Sequence, residues 1–438
     1  MRTRSIVDVE VISESSTTSL ETTSTMKPQH ILFLFIASAI ACGAWAEPPE
    51  TRLANWQADI RFLAQELPKR HKHFYAHLDA SAFQDSIAAL EKSLPNLTDE
   101  QVTVQLARIV ASARDAHTQI NIRPLFRTIY PIGLMWFKDG YYVVRTLPEY
   151  QAILGTKWIG IGNHAAENVE STLKELIAHE NEQWVREMMP NYLIAAPILQ
   201  AVHLIDPSNP THYRFQKPDG TTIDQVVTAT ETAKIPQWAE LLDAKSNKVP
   251  LRYLDRNKNY WHQWLPEAKA MYVCYRRCSS MAKPTINEWA KEMLADLDEH
   301  KPDKLIIDLR DNAGGNSALF APILFGIGQR DWINQKGKLY VLIGRRTFSS
   351  GLLNALELKR TTQSILVGEP TGQKPNAYGE VKQFALPHSK IEIFYSTKYF
   401  RMMKDDPDSL EPDEFMETTV QDYRDGRDPI LEKLLKRT

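Results

Sequence analysis

The sequence predicts an α/β protein whose C-terminal part contains a mostly parallel β-sheet. Residues 305–309, 339–343 and 365–367 are short and almost continuously apolar, as buried parallel strands are. Residues 271–275 form an earlier strand-like run, and residues 286–297 carry the apolar spacing of a helix. Strands that alternate with helices in this way imply parallel pairing through right-handed crossovers.

The region before this unit divides into a helical part and a β-rich part. Apolar residues recur at helical spacing in the first part, at Phe83, Ile87, Leu90 and Leu94. Thr98 and Gln101 form a capping box that predicts the start of a further helix. Further along, residues 141–144 and 158–161 resemble short strands, and residues 206–250 read as hairpins and linker.

We therefore expect four segments along the chain. Residues 1–46 are predicted to be a disordered extension followed by a signal peptide that is removed. Residues 47–125 are predicted to be helical, residues 126–265 to be a β-rich region with a linker, and residues 266–438 to be the α/β core.

The N-terminal segment has the features of an export signal. Its apolar run at residues 31–41 has the length of a signal-peptide core and is too short to span a bilayer. A small-x-small cleavage sequence ends at Ala46, so we expect a periplasmic or extracellular protein without an integral membrane span in the mature chain. Translation from Met1 or from Met26 and lipid anchoring at Cys42 stay open as alternatives.

Charge and cysteine content exclude several classes of protein. The 52 basic and 54 acidic residues give a net charge of -2, without the basic excess of a nucleic-acid-binding or polybasic membrane-surface protein. Three cysteines are too few for a disulfide scaffold or a four-cysteine zinc site. Cys274 and Cys278 are predicted to be free thiols, because a strand through both would hold them too far apart to bond.

The chemistry is expected where two predicted strands end, since open α/β sheets bind ligands beyond the carboxyl ends of their strands. Ser349 and Ser350 lie at a strand-to-helix junction, where free backbone N–H groups and the helix dipole favour negative charge. Gly314 and Gly315 would let a backbone approach a substrate and donate to an oxyanion. Taken alone, the serines favour helix capping, and the glycines fit an ordinary turn equally well.

A reactive serine needs a base, and two residues are candidates. His117 lies at the predicted helix-to-strand transition, and Lys374 follows the serines by 24 residues. Lys374 would act only if its surroundings lowered its pKa. A structural histidine and a solvated lysine are the ordinary alternatives.

Three segments in this order resemble the S41 serine peptidases. They are Asp-Leu-Arg-x-Asn-x-Gly-Gly within residues 304–315, Thr-x-Ser-Ser within 341–351, and Gly-Glu-Pro-Thr-Gly at the start of 368–374. That family includes the C-terminal processing (tail-specific) proteases, the tricorn core and the interphotoreceptor retinoid-binding modules. The resemblance covers residues 270–430 and extends through His117 to the helical segment.

The resemblance implies a ClpP/crotonase-like peptidase core that needs no metal or cofactor. It implies Ser350 as the nucleophile, with an oxyanion hole formed by the N–H groups of Gly351 and of Gly314 or Gly315. These assignments rest on the family pattern.

Two branches of the family imply different bases. Lys374 matches the Ser-Lys dyad of the processing proteases. His117 matches the histidine of the tricorn-like branch, which an acidic residue supports; Asp406, Asp408 and Glu411 are the candidates. We favour His117, because an imidazole needs no large pKa shift to act near neutral pH, and the choice stays open.

The middle region and the activity each have two interpretations. Residues 130–180 resemble a PDZ domain in the order of their strands and turns, and the alternative is a β-rich insertion that shapes the cleft. The expected function is an exported serine-type peptidase acting on proteins or peptides. Its rival is a non-catalytic ligand- or peptide-binding module on the same fold. The sequence leaves the oligomeric state open.

Overall fold

The computed structural model describes residues 49–242 and 249–437. The predicted leader, including the apolar run and Cys42, lies outside these residues. Within the two ranges, no helix is both long and apolar enough to cross a membrane.

The helices occur in three groups along the chain. The first group is α1 (Pro49–Arg70), α2 (Ala80–Ser93) and α3 (Asp99–Ala111). The second is α4 (Ala166–Lys174), α5 (Glu182–Tyr192) and α6 (Ala196–Ala201). The third is α7 (Ile286–His300), α8 (Ala321–Gly328), α9 (Ser350–Thr361), α10 (Val420–Arg424) and α11 (Pro429–Leu435).

The strands of the first half of the chain are mostly short. They are β1 (Gln119–Ile120), β2 (Thr128–Ile129), β3 (Ile132–Phe137), β4 (Gly140–Thr146), β5 (Lys157–Ile161), β6 (His164–Ala165), β7 (His212–Gln216), β8 (Thr222–Val226), β9 (Thr230–Glu231) and β10 (Ala239–Glu240). Those of the second half are β11 (Tyr260–Leu265), β12 (Ala270–Tyr275), β13 (Lys304–Asp308), β14 (Leu339–Ile343), β15 (Ile365–Gly368), β16 (Asn376–Ala385), β17 (Glu392–Arg401) and β18 (Glu414–Phe415).

The prediction of an α/β protein is confirmed. A six-stranded sheet has the order β11-β12-β13-β14-β15-β18, with every pair from β12 to β18 parallel and β11 antiparallel at one edge. Every residue of β12, β13 and β14 is buried, as the continuous apolar runs predict for strands covered on both faces. The carboxyl ends of β13 and β14 therefore lie side by side, which places the two predicted chemical loops next to each other.

The middle region forms a separate antiparallel sheet of the order β10-β4-β5-β7-β8, with β3 on β4 and β6 on β5. The strands predicted at residues 141–144 and 158–161 are present within β4 and β5, and the polar region that follows contains the β7–β8 hairpin. The resemblance of this region to a PDZ domain stays a prediction, as do the four predicted segment boundaries.

A long hairpin of β16 and β17 is a feature that the sequence analysis did not predict. It pairs with β1, which begins two residues after His117. Phe384 and Ile393 of the hairpin lie in the same hydrophobic core as α1 to α3 and the antiparallel sheet. The hairpin thus packs the C-terminal part of the chain against the helical segment. Through its pairing with β1, it also fixes the loop of His117 next to that segment.

The predicted capping box and the predicted free thiols are both present. The Thr98–Gln101 capping box begins α3, and Thr285 with Glu288 forms an equivalent box at α7. Cys274 and Cys278 are buried free thiols.

A buried ion network fixes the loop that leaves β13. The guanidinium of Arg310 donates to Asp308 at 2.5 Å and to Asp428 at 2.6 Å, and all three side chains are almost fully buried. The hydroxyl of Tyr272 also donates to Asp308 at 2.7 Å. Asp428 caps α11, so the network joins the carboxyl end of β13 to the C-terminal helix.

We predict that Arg310→Leu lowers the free energy of unfolding by about 3–5 kcal/mol, because two buried carboxylates lose their counter-ion. Urea denaturation measures this change. Arg61→Leu is the matched control, since Arg61 forms an exposed ion pair with Glu91 and its loss should cost about 1 kcal/mol or less. Equal losses in the two variants would contradict the structural role given to Arg310.

Candidate active site

Asn312 joins the two strand-end loops. Its amide donates to the carbonyl of Tyr275 at 2.8 Å, and its side-chain oxygen accepts from the N–H of Gly314 at 2.9 Å. Its backbone carbonyl accepts from the N–H of Phe348 at 3.0 Å. One buried residue therefore orients the glycine loop after β13 and the serine loop after β14 relative to each other.

Gly314 and Gly315 occupy positions that only glycine fits. Their φ angles are 106° and 131°, in the region that disfavours side chains. A Cβ on Gly314 would lie 2.7 Å from the Cβ of Ser349, and one on Gly315 would lie 2.2 Å from the carbonyl oxygen of Cys278. The close backbone approach predicted at these glycines is thus present. Gly314 packs against Ser349, and Gly315 packs against Cys278.

Ser349 forms a sharp turn between β14 and α9. Its φ of 51° and ψ of -126° are strained for a residue with a side chain. Its N–H donates to the side-chain oxygen of Gln373 at 2.6 Å. Its half-buried hydroxyl has no hydrogen-bond partner among the described residues. A strained serine between a strand and a helix is the arrangement that exposes the nucleophilic hydroxyl of serine hydrolases with an α/β-hydrolase fold.

Ser350, the nucleophile expected from the resemblance, has a different environment. It is only 7% exposed, and its hydroxyl donates to the carbonyl of Gly315 at 2.6 Å. Within the described part of the chain, no hydrogen bond joins it to His117 or Lys374. Its hydroxyl stabilises the glycine loop.

The backbone N–H groups also differ from the expected oxyanion hole. The N–H of Gly351 donates to the carbonyl of Phe348 at 2.9 Å, and that of Gly314 donates within its own loop. Among the described residues, the N–H groups of Gly315 and Ser350 have no acceptor. The N–H of Gly315 is therefore still a candidate oxyanion donor. The second such N–H belongs to Ser350, the residue that follows Ser349.

His117 is held by the loop that precedes β1. Its N–H donates to the carboxylate of Asp115 at 3.0 Å, which fixes the turn. Its ring Nδ1 lies 3.4 Å from the amide nitrogen of Gln373, and its ring packs against Phe348 at 4.8 Å. Since Gln373 also accepts from Ser349, one side-chain amide separates His117 from the strained serine.

Burial lowers the pKa of His117, although the negative charge of Asp115 and the backbone of Tyr378 oppose this shift. The imidazole is therefore neutral near pH 7, which is the form that accepts a proton. Asp115 itself is buried and is 2.9 Å from Nε2 of His71. Nδ1 of His71 accepts from the N–H of His73, so Nε2 carries the proton that is donated to Asp115.

Glu180 is a second carboxyl group beside His117 that the sequence analysis missed. One of its oxygens accepts from the N–H of Ala116 at 3.1 Å, and the other is buried without a partner among the described residues. Burial and the charge of Asp115 raise its pKa well above the ordinary value. The position of Asp115 two residues before His117 is a local sequence signal, whereas Glu180 is 63 residues away from His117 and has none.

Lys374, the second candidate base, lies in an environment that favours its charge. Burial opposes the ammonium form, but ion pairs with Asp406 at 3.1 Å and Asp408 at 3.4 Å raise the pKa of Lys374 above its ordinary value. A lysine in this state does not accept a proton near neutral pH.

The acidic residues proposed to support His117 lie elsewhere. Asp406 and Asp408 pair with Lys374, and no contact of Glu411 with His117 is present in the described ranges. The carboxyl groups next to His117 are those of Asp115 and Glu180.

Asp115, His117 and Glu180 are also the group of side chains that could ligate a metal, with one ligand atom each within 4.8 Å of one another. Both carboxylate oxygens of Asp115 already accept hydrogen bonds, from the N–H of His117 and from His71 and Thr118. This arrangement fits a hydrogen-bonded support for the histidine better than an ion site.

Four of the predicted site residues, Ser350, His117, Lys374 and Gly315, line one cavity of about 660 Å³, whereas Gly314 and Gly351 do not belong to its lining. Its lining includes His117, Gly315, Ser349, Ser350, Gln373 and Lys374. The structure therefore brings together side chains from three distant parts of the sequence, with a strained serine, a neutral histidine and two free backbone donors at one surface.

Comparison with solved structures shows a shared fold. The structure of mature CPAF complexed with lactacystin is 13% identical, with a TM-score of 0.58, and the match covers 88% of this chain and 98% of that one. A crystal structure of a CPAF mutant gives a TM-score of 0.59 at 13% identity, covering 88% and 97% of the two chains.

A structure described as that of a putative S41 protease from Bacteroides fragilis matches more distantly. It is 11% identical, with a TM-score of 0.33, and the match covers 70% of this chain and 82% of that one. No protein-family model and no curated protein matches the sequence.

We predict that His117 titrates below about 6.5, the ordinary value for histidine. Asp115→Asn should lower its pKa further, because the carboxylate charge opposes the effect of burial. NMR titration of the ring proton signals, assigned with a His117→Gln protein, measures both values. The control is Asp139→Asn, at an exposed turn residue paired with Lys157. A higher pKa in Asp115→Asn would contradict this electrostatic account.

Proposed function

We propose that this chain, which has an S41-family peptidase fold, is a serine peptidase that hydrolyses peptide bonds through an acyl-enzyme. The observation that carries the proposal is the juxtaposition of a strained strand-to-helix serine, a neutral buried histidine and unpaired backbone donors in one cavity. This combination serves nucleophilic acyl transfer. A site built only to bind a ligand does not require it.

We propose Ser349 as the nucleophile, in place of the Ser350 expected from the family pattern. Three observations support this assignment. Ser349 has the strained backbone of a nucleophile turn, its hydroxyl is unpaired among the described residues, and its N–H shares Gln373 with His117. In such a turn, the backbone N–H of the residue after the nucleophile donates to the oxyanion. Ser350 has this role when Ser349 is the nucleophile.

The proposed reaction has two stages. The oxygen of Ser349 attacks the substrate carbonyl carbon, and neutral His117 accepts the hydroxyl proton. The N–H groups of Gly315 and Ser350 stabilise the resulting oxyanion, and the carbon–nitrogen bond breaks as the proton passes to the leaving amine. Water then attacks the ester with His117 as base, which releases the carboxylic acid and restores the serine.

Asp115 and Glu180 are proposed as positioning residues. Asp115 fixes the loop of His117 through its backbone and is itself oriented by His71. The raised pKa of Glu180 favours its neutral form, which limits the negative charge next to the histidine. Protein or peptide substrates and action outside the cytoplasm complete the proposal, the latter resting on the predicted leader.

The first activity prediction compares two adjacent serines. Ser349→Ala should lower kcat/KM for peptide cleavage by about 10³-fold or more, because the nucleophile is lost. Ser350→Ala removes one hydrogen bond and keeps the backbone donor, so it should stay within about tenfold of the native protein. Mass spectrometry of products from peptide mixtures and denatured proteins, with folding checked by circular dichroism, gives both values.

The reverse order of effects would assign the nucleophile to Ser350. No cleavage by the native protein, together with binding of a peptide or apolar ligand, would instead favour the non-catalytic binding module.

The second activity prediction separates the two candidate bases. His117→Gln should lower kcat about 10²–10⁴-fold, as expected for loss of a general base. Lys374→Met should stay within about tenfold, because its ammonium is protonated and paired with exposed carboxylates. Activity of the native protein should fall as pH decreases through the lowered pKa of His117. A larger loss in Lys374→Met than in His117→Gln would overturn the assignment of the base.

A further inference from the structure

A second cavity, of about 440 Å³, adjoins the same two strand-end loops. Arg310 and Asp311 after β13 and residues 344–346 after β14 contribute to its lining, together with parts of β3 and α5. The cavity of Ser349 is lined by the later residues of these loops. The two cavities are therefore neighbours across a shared pair of loops.

Arginine dominates the lining of this second cavity, which we call the arginine cavity. Eight arginines contribute to it: Arg186, Arg252, Arg256, Arg276, Arg277, Arg310, Arg345 and Arg346. The acidic residues of the lining are Glu187, Asp311 and Glu369. Positive charge stays in excess when three further carboxylates are counted. They are Asp308 and Asp428, which pair with Arg310, and Glu417, on which the charges of Arg345 and Arg186 act.

Several of these guanidinium groups lack a carboxylate partner within the described ranges. Arg276 is buried and donates only to carbonyl oxygens, including that of Asp255 at 2.9 Å. Arg186 stacks on the ring of Trp136 at 4.5 Å. The side chain of exposed Arg277 has no hydrogen-bond partner among the described residues.

Two further arginines of the lining are only partly satisfied. Arg252 pairs with Asp311, and Arg345 pairs with Glu369, but the Nε atoms of both are buried without an acceptor among the described residues. Because these two Nε atoms are themselves buried, a carboxylate ligand would be bound by the exposed guanidinium groups that have no carboxylate partner among the described residues, and by the excess positive charge of the site.

The volume of the arginine cavity and its distance from Ser349 restrict the class of ligand that it can bind. A cavity of this volume falls in the range that holds an organic ligand of several groups, beyond a single small anion. Arg346 lines the arginine cavity, where it pairs with Glu187 at 3.3 Å, and it lies three residues before Ser349. The Cα atoms of Arg346 and Ser349 are therefore at most about 11 Å apart, which sets the distance from this side of the cavity to the serine. An extended peptide covers that distance in about three residues.

We propose that the arginine cavity binds an acidic side chain of the peptide substrate, about three residues from the scissile bond. This inference rests on the proposed function and adds a substrate class to it, that of peptides with Asp or Glu at that distance. Its chemistry is a carboxylate held by arginine, and the charge of the lining supports an acidic segment over a neutral or basic one.

The binding test uses the full chain with Ser349→Ala, so that binding is measured without turnover. Two peptides with acetylated N-termini and amidated C-termini differ only in an adjacent Asp-Glu pair or Asn-Gln pair. Isothermal titration calorimetry should give about tenfold tighter binding of the acidic peptide at low salt. The difference should shrink as salt rises, because exposed charges are screened.

Substitutions in the arginine cavity then test which arginines bind the carboxylate of the acidic peptide. Arg277→Gln and Arg256→Gln change exposed residues of the cavity and should each weaken binding of the acidic peptide about three- to fivefold, with little effect on the neutral peptide. Arg360→Gln is the matched control, because Arg360 is exposed on α9, pairs with Glu357 and does not line the cavity. It should leave both affinities unchanged.

Three results would overturn the inference. They are equal affinities for the two amidated peptides, unchanged binding in both cavity variants, and tight binding only when the peptide has a free C-terminal carboxylate. Cleavage by the native protein is measured separately. Cleavage of neutral and acidic peptides at equal rates and with equal binding would refute the inference and leave the proposed peptidase function intact. Preferred binding of the acidic peptide without any cleavage would refute the peptidase function alone.

Discussion

The site depends on the ion pairs that the buried guanidinium of Arg310 forms. Two carboxylates, of Asp308 and Asp428, neutralise it at the carboxyl end of β13. A buried charge is tolerated only with such partners, so the network fixes where the strand ends and where the following loop begins. Because Asp428 caps α11, the same interaction attaches the C-terminal helix to this edge of the sheet.

The loops that leave this edge are defined by their backbone groups. Asn312 accepts from Gly314 and Phe348, and Ser350 donates to the carbonyl of Gly315. The hydroxyl of Ser349 and two N–H groups are left without partners among the described residues. An active site that stabilises an oxyanion needs such unpaired donors.

Electrostatics separates the two candidate bases more clearly than their positions do. His117 and Lys374 line one cavity, but burial favours neutral His117, whereas carboxylates favour charged Lys374. The same principle distinguishes the two cavities. Carboxyl groups lie beside the histidine of the first, whereas arginines in excess over carboxylates line the second. A peptide that crosses both would place its carbonyl in one and an acidic side chain in the other.

The sequence by itself determined the α/β class and the parallel strands, and it indicated His117 and Lys374 as candidate bases, because these depend on apolar runs and short motifs. Only the tertiary structure distinguished Ser349 from Ser350, since the difference is a backbone angle and a hydrogen bond across loops. It also revealed Glu180, which no local pattern marks. Pairing, burial and charge arise between residues far apart in the chain, so no local pattern specifies them.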